Sequence, residues 1–156
     1  MSWTFFREFL ANWKATGAVA PSSAGLARRM VLDAGIERAD CILELGPGTG
    51  SVTTLIRSTM RPGARYLGLD TNPVFVATLR RRFPDLRFEA APAQEFDCAE
   101  FHGQNGKFDA IVSGLPWTAF PESLQIAILD RIMPRLREGG VLVTFAYSGF
   151  HLLPNG

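Results

Sequence analysis

The residues best suited to chemistry in this chain form the run Glu-Leu-Gly-Pro-Gly-Thr-Gly at positions 44–50. Gly46, Gly48 and Gly50 allow the backbone to turn tightly and to approach a ligand without a Cβ atom in the way. The run follows an apolar stretch of strand length, and open α/β sheets bind their ligands at the carboxyl ends of the strands. The pattern therefore predicts a ligand-binding loop between a strand and a helix.

An acidic residue stands at the end of the next apolar stretch. Asp70 follows Gly50 by 20 residues. A carboxylate in that place is suited to accept hydrogen bonds from both hydroxyls of a ribose. The glycine run and the acid together indicate a nucleoside cofactor.

Two kinds of nucleoside cofactor are compatible with this arrangement. A dinucleotide favours the spacing Gly-x-Gly-x-x-Gly, which places its pyrophosphate at a helix N-terminus, but the third glycine position is Ser51. S-adenosylmethionine has no phosphate and presents a methionine ammonium group. Glu44, two residues before Gly46, favours that ammonium directly or through water. We therefore expect S-adenosylmethionine rather than a dinucleotide.

The elements that must position these residues alternate along the chain. Apolar runs of strand length are separated by segments of helix length, which is typical of βαβ units and a parallel sheet. The predicted strands are Cys41–Leu45, Tyr66–Leu69, Leu86–Phe88, Phe108–Val112 and Val141–Tyr147, and the predicted helices cover 3–14, 24–34, 51–60, 73–83 and 121–137.

Capping and breaking residues refine two of these helices. Asn72 and Pro73 supply an N-cap and a first-turn proline for the helix over 73–83. Pro134 predicts a kink or an early stop in the last helix. The pair at 139–140, Gly-Gly, is expected to end that helix and release the chain into the last strand.

Composition and charge are those of one globular domain. The chain has 156 residues, of which 47% are hydrophobic and 20% charged, enough for a core without covalent staples. Lys+Arg 16 against Asp+Glu 15 gives a net charge of +1, which excludes a nucleic-acid binder that acts by bulk charge. Cys41 and Cys98 form no CxxC pair and the two histidines are far apart. We therefore predict no metal site, a buried Cys41 thiol and a cytoplasmic protein.

Three features in combination resemble the class I S-adenosylmethionine-dependent methyltransferases over residues 41–147. They are the Glu-x-Gly-x-Gly-x-Gly run, the strand-ending acid and the run Arg-Glu-Gly-Gly-Val-Leu-Val at 137–143. Residues 5–30 and the run Ser-Gly-Leu-Pro at 113–116 more closely resemble the bacterial phospholipid N-methyltransferases, which convert phosphatidylethanolamine toward phosphatidylcholine. That family is itself similar to the ribosomal RNA adenine dimethylases.

The resemblance implies a Rossmann-like α/β fold with strand order 3-2-1-4-5, S-adenosylmethionine as cofactor and an amine as methyl acceptor. The cofactor-binding residues that it implies are Glu44, Leu45, Gly46, Pro47, Gly48, Gly50, Asp70, Thr71, Ala91, Gln94 and Ser113. In related N-methyltransferases the motif after the fourth strand lines the site of the accepting nitrogen, and here it supplies Ser113, Leu115, Pro116 and Trp117.

The chain departs from the family pattern in two places. Ala91 stands where the family usually has an acidic residue facing the adenine amino group, which implies weaker cofactor binding or a substitute at Gln94 or Glu95. Only five of the seven strands of the family's sheet are predicted, so 41–156 is expected to be a C-terminally truncated cofactor-binding domain. The last strand, 141–147, would then be an apolar edge that favours pairing with another chain.

Residues 1–40 form a predicted N-terminal helical segment. Five apolar side chains recur in it at helical spacing, which predicts either a contact with the inner face of a membrane or a lid over the cofactor site. These side chains are Phe5, Phe6, Phe9, Leu10 and Trp13, and Arg28 and Arg29 follow them. A second basic group, Arg80 to Arg82, is interpreted as the solvated end of a surface helix.

Three hypotheses about function follow. The leading one is an N-methyltransferase whose partner is a phosphatidylethanolamine-type headgroup or another amine. The second is an RNA or small-molecule methyltransferase; a base acceptor usually goes with Asn or Asp where Ser113 stands, although Trp117 would suit a stacked base. The third is a non-catalytic cofactor-binding domain, which Ala91 and the missing strands favour. Methyl transfer needs little acid-base help, because the cofactor is already activated and positioning supplies most of the rate.

Overall fold

A five-stranded parallel sheet forms the centre of the computed structural model, which describes residues 24–98 and 106–144. Its strands lie in the order β3-β2-β1-β4-β5, and each neighbouring pair is parallel. The strands are β1 (Cys41–Leu45), β2 (Arg65–Asp70), β3 (Arg87–Ala90), β4 (Phe108–Ser113) and β5 (Leu136–Thr144). The predicted α/β class and strand order are confirmed.

Helices cover both faces of this sheet. The helices of the described ranges are α1 (Ala24–Asp33), α2 (Ser51–Thr59), α3 (Pro73–Arg82) and α4 (Glu122–Ile132), with short 3₁₀ turns at Ile36–Arg38, Trp117–Ala119 and Met133–Arg135. The predicted cap of α3 is present, because the Asn72 side chain accepts a hydrogen bond from the Val74 amide at 2.9 Å and Pro73 begins the helix.

Two apolar clusters sandwich the sheet, as expected for a parallel sheet covered on both sides. All five residues of β1 are buried, and their side chains alternate between the two clusters. Ile42 packs with α1, α2 and α3 through residues such as Met30 and Leu79. Leu43 and Leu45 pack on the opposite face with α4. The carboxyl end of β1 is therefore held rigidly, which fixes where the following loop begins.

The end of the last helix differs from the prediction. The helix stops at Ile132 and a 3₁₀ turn follows, because Pro134 has no amide to continue the helical ladder. Gly139 and Gly140 do not end the helix but lie inside β5, in a bulge where the register with β4 shifts. Gly139 has φ +72° and accommodates that irregularity, and regular pairing resumes at Val141.

The predicted docking helix over 3–14 lies outside the described residues, as does the end of the predicted strand 141–147. In the described ranges β5 pairs with β4 alone, and Val141 is 39% exposed. No helix there is long and apolar enough to cross a membrane. Part of the predicted 1–40 segment packs on the sheet, since Met30 and Val31 of α1 belong to its core. Self-association through β5 stays a prediction.

Candidate functional site

The cofactor loop, which we define as residues 46–50, connects β1 to α2 and is held by backbone hydrogen bonds. The Gly46 amide donates to the Leu69 carbonyl at 2.8 Å, and the Gly50 amide donates to the Pro47 carbonyl at 2.9 Å. Its three glycines have φ of +67°, +57° and +87°, a region that side chains with a Cβ rarely adopt. The glycines are therefore required by the backbone path itself.

Only one of these glycines faces open space. A Cβ atom added to Gly46 would lie 2.9 Å from Leu115, and one added to Gly50 would lie 2.8 Å from Leu79. At Gly48 the nearest atom would be the Gly46 carbonyl oxygen at 3.9 Å. Among the described residues, the space beside Gly48, which we call the cradle, is therefore open to a ligand that approaches the backbone closely.

Asp70 joins this loop to the next strand–helix turn. Its side chain is 7% exposed; Oδ2 accepts from the Gly48 amide at 2.9 Å and Oδ1 accepts from the Asn72 amide at 2.8 Å. Each carboxylate oxygen retains a further lone pair, so these bonds leave Asp70 able to accept from a ribose hydroxyl. The structure places Thr71 beside it, half-buried.

Glu44 lies inside the fold at the end of β1. Its side chain is 2% exposed, and Oε2 accepts hydrogen bonds from the Thr53 hydroxyl at 2.8 Å and the Tyr66 hydroxyl at 2.5 Å. Burial raises the pKa of Glu44 to about 7, although the two hydroxyl donors oppose that shift; the nearby charge of Asp70 adds to it. Glu44 therefore holds the start of α2 against β2 as well as lying beneath the cofactor loop.

The raised pKa of Glu44 predicts that stability falls with rising pH. The folded protein holds the proton more tightly than the unfolded chain, so the contribution is complete below pH 4.5 and is lost as the pH rises through 7. The expected loss in unfolding free energy is about 3 kcal/mol. Urea unfolding between these pH values measures it. Glu44→Gln is the control, and its unfolding free energy should fall less steeply with pH than that of the parent chain. An equally steep fall in both would contradict the prediction.

The post-β4 loop, which we define as residues 114–120, lies directly on the cofactor loop. The Gly114 amide donates to the Leu45 carbonyl at 2.8 Å. A Cβ added to Gly114 would lie 3.0 Å from the Gly46 carbonyl oxygen. Leu115, half-buried, packs over Gly46. The two loops that the sequence predicts for cofactor and acceptor are thus in contact.

Ser113 and Trp117 are joined by a hydrogen bond. The Ser113 side chain is fully buried, and its Oγ accepts from the Trp117 indole Nε1 at 2.9 Å and from the Leu115 amide at 3.3 Å. Trp117 is half-buried, and its ring meets that of Phe120 edge to face at 6.3 Å. Ser113 therefore fixes the orientation of the Trp117 ring, while the half-buried Pro116 lies between them in the chain.

Gln125, which the sequence analysis did not single out, holds the same loop from α4. Its Nε2 donates to the carbonyls of Trp117 at 3.0 Å and Phe120 at 2.9 Å. A sequence signal existed, because Gln125 lies next to Leu124 on a helix whose apolar residues face the core. A polar side chain in that place indicates a buried backbone partner, but not which one.

The segment after β3 contains a buried acceptor without a partner. Gln94 Oε1 is buried and has no hydrogen-bond partner in the described part of the chain. The Glu95 side chain is exposed instead, and the Glu95 and Phe96 carbonyls accept hydrogen bonds from Arg131 of α4. Ala91 is tied to β2 through its amide and the Asp70 carbonyl at 3.0 Å. Of the two predicted substitutes for an acid at 91, Gln94 has the buried acceptor oxygen, whereas the Glu95 side chain is exposed.

The cysteines lie in the core away from these loops. Cys41 and Cys98 are free, and their side chains are 1% and 3% exposed. Burial raises the pKa of Cys41 to about 11 and also raises that of Cys98, so both are inert thiols at neutral pH. Within the described ranges no group of three or more His, Cys, Asp or Glu is arranged to hold a metal ion.

Fold and site together define the class of protein. A parallel sheet in the order 3-2-1-4-5, a glycine loop after β1 and an acid at the end of β2 are those of a class I S-adenosylmethionine-dependent methyltransferase. The sequence model of the family described as "Methyltransferase domain" matches residues 43–142. The chain belongs to this family, and S-adenosylmethionine is the cofactor of its class. The open cradle at Gly48 and the unpartnered Gln94 oxygen fit that cofactor.

Known relatives include a lipid N-methyltransferase and a ribosomal RNA methyltransferase, as the predicted resemblance implies. The chain is 35% identical over 124 residues to an ornithine lipid N-methyltransferase of Singulisphaera acidiphila, covering 78% of this chain and 65% of the relative. It is 31% identical over 138 residues to a ribosomal RNA small subunit methyltransferase A of Kineococcus radiotolerans, covering 85% of this chain and 44% of the relative. The chain thus spans less than two thirds of the length of these relatives.

A solved structure shows the shared fold. The N-methyltransferase NodS from Bradyrhizobium japonicum, in complex with S-adenosylhomocysteine, superposes with a TM-score of 0.66 at 19% identity. The match covers 83% of this chain and 64% of that one.

Proposed function

We propose that this chain is an S-adenosylmethionine-dependent N-methyltransferase that methylates the amine of a lipid headgroup. One observation carries the proposal: the post-β4 loop lies directly on the cofactor loop, through the Gly114–Leu45 hydrogen bond and the packing of Leu115 over Gly46. An acceptor held by the post-β4 loop is therefore adjacent to a cofactor held by the cofactor loop. Holding the two reactants together supplies most of the rate in such a transfer.

Four groups of this chain hold the cofactor in this proposal. The backbone at Gly48 lets it approach, Asp70 accepts from its ribose and Gln94 Oε1 accepts from its adenine amino group. Glu44 favours its ammonium in the ionised form, which the raised pKa of about 7 makes the major form only above neutral pH. When bound, the cofactor supplies an activated sulfonium methyl group. Leu45, Pro47 and Gly50 shape the loop without side-chain chemistry.

Trp117 is the group that faces the acceptor in this proposal. Its indole N–H is already bonded to Ser113 and its carbonyl to Gln125, so its remaining means of recognition is the face of the ring. An aromatic face attracts cationic ammonium groups, which suits the headgroup of an amine lipid. The bound ammonium must then lose a proton to water before its nitrogen lone pair can form the bond to the methyl group as the bond from sulfur to that methyl group breaks. Ser113 acts through Trp117 as a positioning residue, since its own oxygen is fully buried.

A lipid acceptor is favoured over RNA by two observations. The higher identity is to a protein named for lipid N-methylation, 35% against 31% for the ribosomal RNA relative. The net charge of +1 gives no general attraction to a polyanion. The apolar stripe within 3–14, outside the described residues, would bring the site to a membrane surface.

A methyl-transfer assay with labelled S-adenosylmethionine tests the proposal. Phosphatidylglycerol vesicles containing ornithine lipid or phosphatidylethanolamine should accept label, while phosphatidylglycerol alone, which has no amine, should not. Small-subunit ribosomal RNA is the competing acceptor. Label in RNA but not in lipid would assign the second hypothesis, and binding of S-adenosylhomocysteine with no transfer to any acceptor would indicate a non-catalytic domain.

The same vesicles test the membrane contact. The chain should pellet with anionic vesicles at low salt and be released at high salt, because apolar insertion and lipid charge act together. The double change Phe5→Ser and Phe9→Ser should abolish pelleting while affinity for S-adenosylhomocysteine persists. Joint loss of cofactor affinity and thermal stability would instead show that the stripe is a lid.

Replacing Ser113 by alanine should separate acceptor positioning from cofactor binding. The change leaves the Trp117 indole N–H and the Leu115 amide without their acceptor, so the ring loses its fixed orientation. We expect kcat to fall about tenfold, the effect of losing the hydrogen bond that orients Trp117 at about 1.4 kcal/mol, with affinity for S-adenosylhomocysteine unchanged. Equal loss of cofactor affinity would show that Ser113 contacts the cofactor itself, as the family resemblance implies.

A further inference from the structure

Arg82, the last residue of α3, reaches across to the cofactor loop. Its Nη1 donates to the Thr49 carbonyl at 2.6 Å, and its Nη2 lies 3.4 Å from the Thr54 hydroxyl on α2. Thr49 directly follows Gly48, beside which the cradle lies, and precedes Gly50. Arg80 to Arg82 are exposed in the last turn of α3, as predicted, and two of them also make hydrogen bonds outside that helix, since Arg80 donates to the Phe88 carbonyl at 2.6 Å.

Two neighbouring residues, Gly50 and Phe83, leave room for the Arg82 guanidinium and contact it. A Cβ atom added to Gly50 would lie 3.1 Å from Arg82 Nη1, so glycine at 50 leaves the room that Arg82 occupies. The Phe83 ring lies 5.0 Å below the Arg82 guanidinium carbon and restricts its movement. Among the ion pairs of the described residues none includes Arg82. Its charge is therefore directed at the Thr49 carbonyl. A charged donor makes a stronger hydrogen bond to a carbonyl than a neutral donor does.

Two consecutive residues of the cofactor loop, Gly48 and Thr49, are thus held from the two ends of α3. Asp70, just before α3, holds the Gly48 amide, and Arg82, at the end of α3, holds the Thr49 carbonyl. The peptide group between Thr49 and Gly50 is held at both of its polar atoms. Its carbonyl accepts from Arg82, and its amide donates to the Pro47 carbonyl. A loop with three left-handed glycines has many alternative conformations, and these ties select the one that leaves the cradle open.

We propose that Arg82 is a positioning residue for cofactor binding, holding the Thr49 carbonyl so that the cradle at Gly48 is preformed. The inference rests on the proposed function for the ligand, but the hold on the loop is a property of the free protein. Preorganisation raises affinity because the loop is not ordered at the moment of binding. Arg82 does not need to touch the cofactor to have this effect.

Three variants test the inference: Arg82→Ala, Arg82→Lys and the matched control Arg81→Ala. Arg81 is the neighbouring exposed arginine, and its Nη2 donates to the Thr78 hydroxyl of its own helix at 3.3 Å. Affinity for S-adenosylhomocysteine should fall about fivefold to tenfold in Arg82→Ala. Arg82→Lys, which retains one charged donor, should recover part of the loss, and Arg81→Ala should bind like the parent chain.

Amide hydrogen exchange without any ligand gives the second measurement. The Gly48 and Gly50 amides should exchange faster in Arg82→Ala than in Arg81→Ala, while core amides of β1 should not change. Unchanged affinity and unchanged loop exchange in Arg82→Ala would overturn the inference, as would an equal effect of Arg81→Ala. If the parent chain does not bind S-adenosylhomocysteine, the proposed function fails, and loop exchange alone decides whether Arg82 holds the loop.

Discussion

Replacing Gly48 by valine should abolish binding of S-adenosylhomocysteine while the chain stays folded. Among the described residues, a Cβ at this position meets nothing closer than 3.9 Å, so it clashes with no neighbour there and its main cost to the fold is backbone strain, while the side chain fills the cradle. We expect at least about a 100-fold loss of affinity, equivalent to about 2.7 kcal/mol, because the ligand and the side chain would occupy the same space. Isothermal titration measures the affinity.

The left-handed backbone needs its own control, because φ is +57° at Gly48. A residue with a Cβ in this region costs about 1–2 kcal/mol, and that cost alone lowers stability. Gly35 is a matched position, with φ +64° and no atom within 4 Å of an added Cβ. Gly35→Val should therefore lower the unfolding free energy by a similar amount and leave affinity intact. If Gly35→Val loses as much affinity as Gly48→Val, backbone strain explains the loss, and the assignment of Gly48 to the cofactor site is wrong.

The sequence predicts the layout of this fold well because its signals are local. β1 is found at its predicted bounds, since a mostly apolar run of strand length followed by a glycine run has few other interpretations. Asn72 caps α3 as expected, because a side-chain cap acts within one turn. Pro134 stops α4 through its own missing amide. In each case the residue and its effect lie within a few positions of one another.

The interactions that the sequence does not predict are those between distant elements. Arg82 bonds a carbonyl 33 residues away, and Arg131 bonds one 35 residues away. Each looks like a solvated helix residue in its own neighbourhood. The bulge at Gly139 depends likewise on the register of β5 against β4. Such partners are set only when the sheet is assembled, so the sequence identifies the site residues but not the groups that hold them.

Glu44 illustrates the same limit at a predicted site residue. Its place before the first glycine predicts an acid near the cofactor, but its bonds to Thr53 and Tyr66 follow from the packing of α2 and β2. Those bonds give Glu44 a structural role that is independent of any ligand. The pH dependence of stability measures that role separately from cofactor affinity.

Replacing Asp70 by asparagine should weaken binding of S-adenosylhomocysteine by about 1.5–3 kcal/mol, or roughly 10-fold to 150-fold. The wild-type carboxylate accepts backbone amides on both oxygens, at 2.9 Å from Gly48 and 2.8 Å from Asn72. An asparagine has only one acceptor oxygen, so its amide group must face one of these donors. The change therefore removes the charge and one of the two backbone hydrogen bonds, to Gly48 of the cofactor loop or to Asn72, together.

A ligand with one ribose hydroxyl removed separates these two effects. The parent chain should bind 2′-deoxy-S-adenosylhomocysteine more weakly than the full ligand, whereas Asp70→Asn should distinguish the two less, because its neutral amide oxygen is a weaker acceptor than the carboxylate. Asp109 is the matched control, since its Oδ2 also accepts two backbone amides, from Asp40 at 2.8 Å and Cys41 at 2.9 Å, at the opposite end of the sheet. Asp109→Asn should lower stability and leave both affinities as they are. If Asp70→Asn still distinguishes the two ligands as the parent chain does, Asp70 does not contact the 2′-hydroxyl, and its effect on affinity comes entirely from its hold on Gly48.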